Sequence, residues 1–506
     1  MVKRYTKILM MIIISISFCS MVFANSSNEE NTLIAVKSGS KYGCIDINGK
    51  EIIKKEYSEV KFVKDKILVK KNNKYGLFDM QGNVILPNSY DEINIVSSNV
   101  IIVKHGSKFG AYNDKGIAIL AEEFKELYYD GGKFLLAKKD KYNFYDLNSK
   151  PLTENGFKDA QLFSEGLAAV AKEDKYGYIN ELGQEVIPYS YKDAKNFCEG
   201  LAGVKDKKWN FIDKQGNIII KGDFDGYLLG FKEGIAVVRN DGNNQYIDNK
   251  GAKLFENDYQ FFNSFKDGLA EVYVKRESIS VIGVLGVVVE KSMNDGSYYA
   301  DSNDLIDVKF KRGYIDKTGA NVIPTRYDYV GEFTNNLCPV VIKDKFGYVN
   351  KKGEFVIPAE YQFLGDVSHG YIAAEKNNSY GYVDLNNKPV IPFKFEDGKE
   401  FGDKLTAVKM NGKWGYIDNS GEVAIKCQYD NAFNFQGDIA IIKYYSAYGI
   451  INNKGTYVLP AKREYEEISS FYNNYASIKV KGKWGVIDQQ GKFVITPQYD
   501  DLHFKI

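Results

Sequence analysis

The chain has 506 residues, of which 44% are hydrophobic, 26% charged and 14% aromatic, and these fractions are typical of a folded rather than a disordered protein. Its 67 basic and 66 acidic residues nearly cancel. A chain so close to neutral offers no electrostatic case for nucleic acid or an anionic membrane as its main partner. The length suits either about three or four domains or one long array of repeats.

Residues 1–24 have the pattern of a secretory signal peptide. Three basic residues near the start precede an apolar stretch, and Ala24 completes a short cleavage motif before a polar segment at 25–32. We therefore predict a protein that is secreted or held at the cell surface, with no membrane insertion after cleavage. An uncleaved anchor is the alternative, although about 16 apolar residues fall short of a spanning helix.

A repeat of about 34 residues fills the rest of the chain. The motif Lys-Tyr-Gly-Cys-Ile-Asp at 41–46 recurs with variations in thirteen units, which occupy 33–275 and 309–506. Successive units are 33 to 36 residues apart, except for one interval of 68. The central glycine, replaced by Asn or Gln in three units, defines the glycine position of each unit: 43, 76, 110, 143, 177, 210, 245, 313, 347, 381, 415, 449 and 485.

A second pair of residues marks a turn in each unit. Three residues after the glycine position every unit has Asp or Asn, and six after it eleven units have Gly. An Asx side chain caps a turn and Gly accepts positive φ, so this spacing predicts a structural turn. Free exchange of Asp with Asn argues against calcium, whose binding depends on carboxylate charge, and no metal site is predicted. Clear examples are Asp46 with Gly49, Asp79 with Gly82, Asp213 with Gly216 and Asp418 with Gly421.

Each unit is predicted to form three short strands. Around Gly177 they span 167–171, 176–180 and 185–188, joined by connections of hairpin length. Pro188 is expected to end the third strand because proline cannot donate to a ladder. The unit is therefore an antiparallel meander, and the protein is all-β. We expect the glycine to leave room for an aromatic side chain of a neighbouring unit.

An aromatic residue stands just before the glycine position in eleven units, and all three tryptophans, Trp209, Trp414 and Trp484, occupy this place. Aromatic side chains at regular spacing can stack on sugars, or they can form the core of each unit, which is the interpretation we favour. Lysine stands two residues before the glycine in ten units. We expect these lysines to form a solvated row.

The combined motif resembles the WG repeat family of bacterial proteins. The matching elements are Lys-Trp/Tyr-Gly-x-Ile-Asp, then Gly-x-x-Val-Ile-Pro, then Tyr-Asp and Glu-Gly-Leu-Ala, and they extend over about residues 33–503. The unit around 243–245 lacks the Lys-aromatic-Gly core. The resemblance implies an array of β-repeats that is often exported or surface-associated, and it implies no catalytic residues.

Two architectures are compatible with thirteen meanders. An open, curved β-repeat array accepts any number of units, because each unit contacts only its neighbours. One or two propeller-like rings are the alternative, although one ring would exceed the usual range of about four to eight blades. The repeats begin and end as whole units, at Leu33 and after Tyr499-Asp500, so no unit is available to be shared between the termini. We therefore expect the open array.

The interval of 68 residues contains an irregular segment at 276–308. We interpret it as an insertion in a hairpin, with an apolar run at 281–289 and a polar end that carries Tyr298 and Tyr299. Nine apolar residues are too few to span a membrane. A long hairpin folded back on the array is the simple interpretation. A protruding binding arm is the alternative, with Tyr298 and Tyr299 as candidate binding residues.

The sequence predicts a function that does not involve catalysis. The three histidines, His105, His369 and His503, occupy unrelated places in the repeat, and no acidic pair stands out from the repeat pattern. We predict an exported, non-enzymatic scaffold without a cofactor that binds a protein partner. Binding to cell-wall or extracellular glycan is the alternative, and a hydrolase with its site in 276–308 is a third hypothesis. The oligomeric state stays open.

Overall fold

The computed structural model describes residues 32–256, 259, 261–275 and 310–505, and every regular element in these ranges is a β-strand. The described strands form thirteen antiparallel sheets, one per repeat unit, which we call blades 1 to 13. Eleven blades have four strands and two have three. The all-β class and the tandem meander repeats are confirmed.

The first six blades have the following strands. Blade 1 contains β1 (Leu33–Ser38), β2 (Lys41–Asp46) and β3 (Glu51–Tyr57). Blade 2 contains β4 (Glu59–Val63), β5 (Lys66–Lys71), β6 (Lys74–Phe78) and β7 (Val84–Tyr90), and blade 3 contains β8 (Glu92–Ile95), β9 (Ile101–His105), β10 (Lys108–Tyr112) and β11 (Ala118–Phe124). Blade 4 contains β12 (Glu126–Tyr129), β13 (Phe134–Lys138) and β14 (Tyr142–Asp146). Blade 5 contains β15 (Asp159–Ala160), β16 (Leu167–Lys172), β17 (Lys175–Asn180) and β18 (Glu185–Tyr191), and blade 6 contains β19 (Asp193–Ala194), β20 (Ala202–Lys205), β21 (Trp209–Ile212) and β22 (Ile218–Phe224).

The next four blades continue the series. Blade 7 contains β23 (Gly226–Lys232), β24 (Ile235–Asn240) and β25 (Asn243–Asp248). Blade 8 contains β26 (Phe261–Phe262), β27 (Leu269–Lys275), β28 (Phe310–Asp316) and β29 (Asn321–Tyr327). Blade 9 contains β30 (Tyr329–Val330), β31 (Leu337–Ile342), β32 (Lys345–Asn350) and β33 (Phe355–Tyr361), and blade 10 contains β34 (Phe363–Ser368), β35 (Tyr371–Lys376), β36 (Ser379–Asp384) and β37 (Pro389–Phe395).

The last three blades reach the C-terminus. Blade 11 contains β38 (Asp397–Gly398), β39 (Thr406–Met410), β40 (Lys413–Ile417) and β41 (Val423–Tyr429). Blade 12 contains β42 (Asn431–Ala432), β43 (Ile439–Tyr444), β44 (Ala447–Asn452) and β45 (Tyr457–Leu459). Blade 13 contains β46 (Tyr465–Ile468), β47 (Tyr475–Val480), β48 (Lys483–Asp488) and β49 (Phe493–Tyr499), and β50 (Asp501–Phe504) follows.

Each complete blade has one strand more than the three predicted. Its strands follow the same order along the chain and across the sheet, and we label them a, b, c and d. Strands b, c and d are the predicted meander, whereas the short strand a forms from the residues after each Tyr-Asp pair. Blades 4 and 7 have strands a, b and c only.

The thirteen blades close into one propeller-like ring. Strand β50 pairs antiparallel with β1, with Ile34 opposite Phe504 and Lys37 opposite Asp501. The last strand of the chain is therefore strand a of blade 1, which is shared between the two termini. The ring alternative is the architecture that forms, and the expected open array is not. The expectation was wrong because it placed the unit boundary before strand b and so overlooked strand a.

Neighbouring blades are held together by buried apolar side chains. Thirteen hydrophobic clusters are present among the described residues, and each joins two consecutive blades. The cluster between blades 13 and 1 contains Ile34, Val36, Val486, Ile495 and Leu502. A single meander has no complete core of its own, so stability belongs to the neighbouring pairs, as in other repeat proteins.

The glycine position serves the backbone of strand d rather than a neighbouring aromatic ring. Beside Gly415 the pairing advances by two residues along β40 but by four residues along β41. Strand d therefore bulges towards strand c at this point. A Cβ atom on Gly415 would lie 2.5 Å from the Ile425 carbonyl oxygen, and one on Gly177 would lie 2.5 Å from that of Ile187. The expected aromatic contact is wrong: the space is taken by the bulged strand of the same unit.

A buried tyrosine ties each of several blades to the next. The Tyr178 hydroxyl donates a hydrogen bond to the Lys195 carbonyl oxygen at 2.7 Å, and the Tyr416 hydroxyl donates to that of Phe433 at 2.7 Å. Both acceptors lie in or beside strand a of the following blade. Phe197 packs on the Tyr178 ring at a centroid distance of 5.0 Å. These contacts explain why Phe-x-Glu-Gly-Leu-Ala follows the Tyr-Asp pair in the repeat.

Aspartates of the Tyr-Asp pairs also join neighbouring blades. Asp430 accepts hydrogen bonds from the Lys413 ammonium of blade 11 at 2.5 Å and from the Ser446 N–H of blade 12 at 3.0 Å. Asp500 joins blade 13 to blade 1 in the same way, through Lys483 at 2.5 Å and the Gly39 N–H at 2.6 Å. These corner aspartates therefore contribute to closure of the ring.

The corner aspartate Asp430 is expected to make a small contribution to the free energy of unfolding, and this contribution depends on pH. The Lys413 ammonium, followed by the Ser446 N–H, lowers the pKa of the Asp430 carboxyl. A lowered pKa means that the charge stabilises the fold above about pH 4 and that this contribution is lost as the pH falls. We expect Asp430→Asn to reduce the unfolding free energy at neutral pH by at most about 1 kcal/mol, because the pair is largely exposed.

Urea unfolding at neutral pH and near pH 2 checks this expectation. The difference between the wild type and Asp430→Asn should disappear at the lower pH. Asp206→Asn is the control, because Asp206 is exposed and makes no ion pair with the described part of the chain. A difference that persists in acid would show that Asp430 acts by packing and not by charge.

Candidate binding face

Antiparallel order places the connections of every blade at two ends. The a–b and c–d connections lie on one side of the ring, which we call the turn face. The b–c hairpins and the links between blades lie on the other side, the hairpin face. Contacts across blades agree with this division, since Lys214 in a c–d turn pairs with Glu165 in the a–b turn of the preceding blade at 3.1 Å.

The Asp-x-x-Gly residues form the c–d turns of the turn face. The Oδ1 atom of Asp46 accepts hydrogen bonds from the N–H groups of residues 48 and 50 at 2.9 and 2.8 Å. Asn350 accepts the equivalent bonds at 2.8 and 3.1 Å, so the uncharged amide makes the same turn. Gly421 has φ of +86°, the left-handed region that favours glycine. The other named turns have the same geometry: Asp79 with Gly82, Asp213 with Gly216 and Asp418 with Gly421.

A ladder of glutamates occupies the a–b turns of blades 5 to 7. The Glu199 carboxylate accepts hydrogen bonds from the N–H groups of Glu233 and Gly234 in the next blade, at 2.6 and 2.7 Å. Glu165 and Glu233 make equivalent bonds to the blades that follow them. Backbone N–H groups and lysine side chains bind these carboxylates. In this part of the turn face the carboxylates therefore stabilise the contact between blades.

Exposed apolar side chains follow the turn face across five consecutive blades. Each lies in a c–d turn or at the start of a d strand, and each is 37–49% exposed. We call this set the apolar arc: Phe355, Leu385, Val423, Tyr457 and Val494, in blades 9 to 13 respectively. Each of these five consecutive blades therefore carries one such side chain on the turn face. Blades 2, 3, 5 and 6 also expose apolar residues near their c–d turns, among them Val84, Ile117, Leu182 and Ile218.

A cleft of about 620 Å³ opens on the apolar arc in blade 10. Leu385, Pro389 and Val390 form its apolar side, and His369 and Lys388 supply polar groups. The His369 Nδ1 atom lies 3.2 Å from the Phe401 carbonyl oxygen, which fixes the ring against the next blade. The cleft is open to solvent and combines apolar and polar lining groups.

The aromatic residues before the glycine position are not available as a sugar-stacking ladder. Trp209 and Trp414 are 5% and 6% exposed. The Lys399 ammonium lies 5.0 Å from the Trp414 ring centroid, and the Lys205 ammonium lies 5.7 Å from that of Trp209. These two rings are therefore buried and in contact with lysine ammonium groups. Trp209, Tyr380 and Trp414 are buried, whereas the other eight aromatic residues of the series, Trp484 among them, are half-buried, so the interpretation as core holds for part of the series.

Half of the ten lysines two residues before the glycine position are paired with a carboxylate rather than free in solvent. In five blades the ammonium pairs with the aspartate of the Tyr-Asp pair 17 residues later. The expected row is therefore corrected, because the repeat supplies a carboxylate at each of these lysines. The pairs are Lys74 with Asp91, Lys208 with Asp225, Lys311 with Asp328, Lys413 with Asp430 and Lys483 with Asp500.

The irregular segment at 276–308, with Tyr298 and Tyr299, lies outside the described residues, as does the signal peptide at 1–24. Strands β27 and β28 flank the segment at the hairpin face of blade 8. In the part of the chain that the structure describes, no three His, Cys, Asp or Glu side chains group to hold a metal ion. None of its elements is a helix long and apolar enough to cross a membrane.

Several solved structures are similar to this chain at low identity. The extracellular domain of the one component system BT4673 from B. thetaiotaomicron is 10% identical with a TM-score of 0.24, and the match covers 94% of this chain and 76% of that chain. A eukaryotic initiation factor is 10% identical with a TM-score of 0.28, over 85% and 95%. PorZ from Porphyromonas gingivalis is 9% identical with a TM-score of 0.21, over 91% and 80%.

Among curated proteins, none matches this chain in sequence. The family model described as WG containing repeat matches eleven segments, which together cover more than half of the chain. The units around Gly110 and Gln245 lie outside these matches. The segments are 42–75, 75–109, 144–176, 176–209, 209–243, 313–346, 346–380, 380–414, 414–445, 448–484 and 484–505. The chain belongs to the family of proteins built from the WG containing repeat.

Proposed function

We propose that this protein is an exported, non-enzymatic repeat scaffold that binds a protein partner along the apolar arc. The observation that carries the proposal is the presence of one exposed apolar side chain in each of five consecutive blades. Single exposed apolar residues are ordinary on protein surfaces. Three of the five, Phe355, Val423 and Tyr457, stand eight residues after the glycine position of their units. One exposed apolar residue in each of five consecutive units makes a repeated surface, which can engage an extended or multi-domain partner.

The chemistry around the apolar arc suits a protein surface. The exposed turn residues beside it include uncharged polar side chains, which supply hydrogen bonds without the desolvation cost of charges. Interfaces between proteins commonly combine an apolar centre with such a polar rim. The arc spreads over five blades, whereas a small-molecule site is a concave pocket lined by converging groups. The uncharged turn residues are Asn386, Asn419, Ser420 and Gln490.

Export rests on the N-terminal pattern of basic residues, apolar stretch and cleavage motif in residues 1–24. A secreted or surface location would place the apolar arc in contact with other exported or surface proteins. Glycan binding is the less favoured function, because two of the three tryptophans that could stack on sugars, Trp209 and Trp414, are buried and Trp484 is half-buried.

Affinity capture tests the proposal. Residues 25–506 are immobilised and exposed to the surface fraction of the producing cells, and the captured protein is identified and its Kd measured. We expect Phe355→Lys combined with Val423→Lys to weaken binding at least about tenfold, because charges replace the apolar centre of the interface. Tyr445→Lys is the matched control, since Tyr445 is 73% exposed but lies in a b–c hairpin on the opposite face.

Two outcomes would overturn the proposal. Equal loss of binding in the double variant and in Tyr445→Lys would show that the apolar arc is not the binding surface. Salt-resistant sedimentation of the wild-type ring with purified cell-wall sacculi, without capture of a protein, would favour the glycan function instead.

A further inference from the structure

The d strands are open edges of the ring. Each described d strand stands at the end of its sheet, and an edge presents backbone N–H and C=O groups that another strand can pair with. Proline inside the strand blocks such pairing because it has no N–H. Six d strands carry this protection: β7, β18, β29, β33, β37 and β49, through Pro87, Pro188, Pro324, Pro358, Pro392 and Pro497.

Strand β22 of blade 6 lacks this protection. Its sequence is Ile-Ile-Ile-Lys-Gly-Asp-Phe, with no proline, and its first two residues, Ile218 and Ile219, are 55% and 47% exposed. Blade 7 has no d strand, and its strand β24 packs against buried side chains of β22 without pairing with the open edge.

The second half of β22 has the geometry to accept a partner strand. The Gly222 N–H donates inwards to Oδ1 of Asn210 at 3.1 Å. Because backbone groups alternate in direction along a strand, the N–H and C=O groups of Lys221 and Asp223 point away from the sheet. Both side chains are exposed, and neither makes an ion pair with the described residues.

We propose that two copies of this protein associate through their β22 strands, paired antiparallel about Gly222. In this register Lys221 of each copy lies opposite Asp223 of the other, which gives two cross-strand ion pairs related by a two-fold axis. The same two residue pairs can exchange backbone hydrogen bonds. The strand is thus complementary to itself in charge as well as in backbone direction.

The charge of the whole chain favours the same association. The formal net charge is +1, so two copies approach without strong repulsion. The inference goes beyond the proposed function and uses a different sector of the ring. The β22 edge belongs to blade 6, whereas the apolar arc belongs to blades 9 to 13, so each idea can fail while the other holds.

Charge exchange within β22 tests the proposal. Sedimentation equilibrium of residues 25–506 should show a monomer–dimer equilibrium below about 100 μM. Lys221→Asp places carboxylates opposite each other and should raise the dimer Kd at least about tenfold. The double variant Lys221→Asp with Asp223→Lys restores opposite charges and should recover most of the wild-type Kd.

Controls separate pairing from misfolding. Equal thermal unfolding midpoints for the three proteins would show that these exposed substitutions leave the ring intact. Val84→Lys, at a residue that is 62% exposed on the proline-protected strand β7, should leave the dimer Kd unchanged. A wild-type protein that stays monomeric over this range, or a double variant that stays as weak as Lys221→Asp, would overturn the proposal.

Discussion

Leu502→Ser is expected to open the ring between blades 13 and 1. Leu502 lies on β50, is 4% exposed and packs in the cluster that joins these blades. Replacing a buried leucine by serine removes its packing and buries a hydroxyl, which costs about 3 kcal/mol. In every other complete blade, continuous chain joins strand a to strand b, whereas blade 1 depends on the pairing of β50 with β1. Loss of that pairing leaves two blades with an uncovered apolar face.

Urea unfolding and small-angle X-ray scattering measure this opening. We expect a lower unfolding midpoint and a larger radius of gyration for Leu502→Ser. His503→Ser is the matched control, because His503 is the next residue of the same strand and its side chain is 67% exposed. It should leave both quantities close to the wild type. Equal effects of the two substitutions, or no effect of Leu502→Ser, would mean that closure does not depend on this contact.

The repeat predicted strands b, c and d well because their signals are local. Alternating apolar residues, the Asx turn and the glycine position recur in almost every unit, and each has a direct physical cause. Strand a carried no comparable signal: in blade 5 it is only Asp159–Ala160, and its partner strand is fixed by the sheet. Ring closure depends on strand a, because Asp501–Phe504 forms a strand only by pairing with β1. Non-local pairing of the two termini cannot be obtained from a local pattern.

The apolar arc was also beyond the sequence argument, for a different reason. Phe355, Val423 and Tyr457 stand at the same place in their units, so their recurrence was visible. A recurring apolar residue in a strand is usually buried, and only the edge position of strand d makes these exposed. In contrast, the burial of Trp414 agreed with the sequence, because large aromatic residues commonly supply core area.

A proline in an edge strand of a sheet does not end the strand, which differs from the expectation for Pro188. Pro188 was expected to end the third strand, yet β18 continues to Tyr191. The missing N–H has no consequence there, because strand d is paired on one side only and the other side faces away from the sheet. The proline therefore lies within an edge strand, where it limits pairing with other chains.

Gly415→Ala is expected to be among the most destabilising single changes in the chain. The new Cβ atom would lie 2.5 Å from the Ile425 carbonyl oxygen and 2.6 Å from the Cys427 nitrogen. Both are backbone atoms of β41, so no side chain can rotate away and the strand itself must move. We expect a loss of about 2–4 kcal/mol in unfolding free energy, measured by urea denaturation. Gly412→Ala is the control: Gly412 has φ of +73° but open space around it, so only about 1 kcal/mol of backbone strain is expected.

Blade 6 indicates how such a change can be rescued. Asn210 occupies its glycine position, and the facing residue twelve positions later is Gly222, whose N–H bonds to the Asn210 side chain at 3.1 Å. Cys427 is the equivalent residue opposite Gly415. If close approach of strand d is the cause, Gly415→Asn should be strongly destabilising and Gly415→Asn with Cys427→Gly should recover part of the loss. Additive losses in the double variant would instead show that the glycine is required for its own backbone conformation, and the contact with strand d would not explain the repeat.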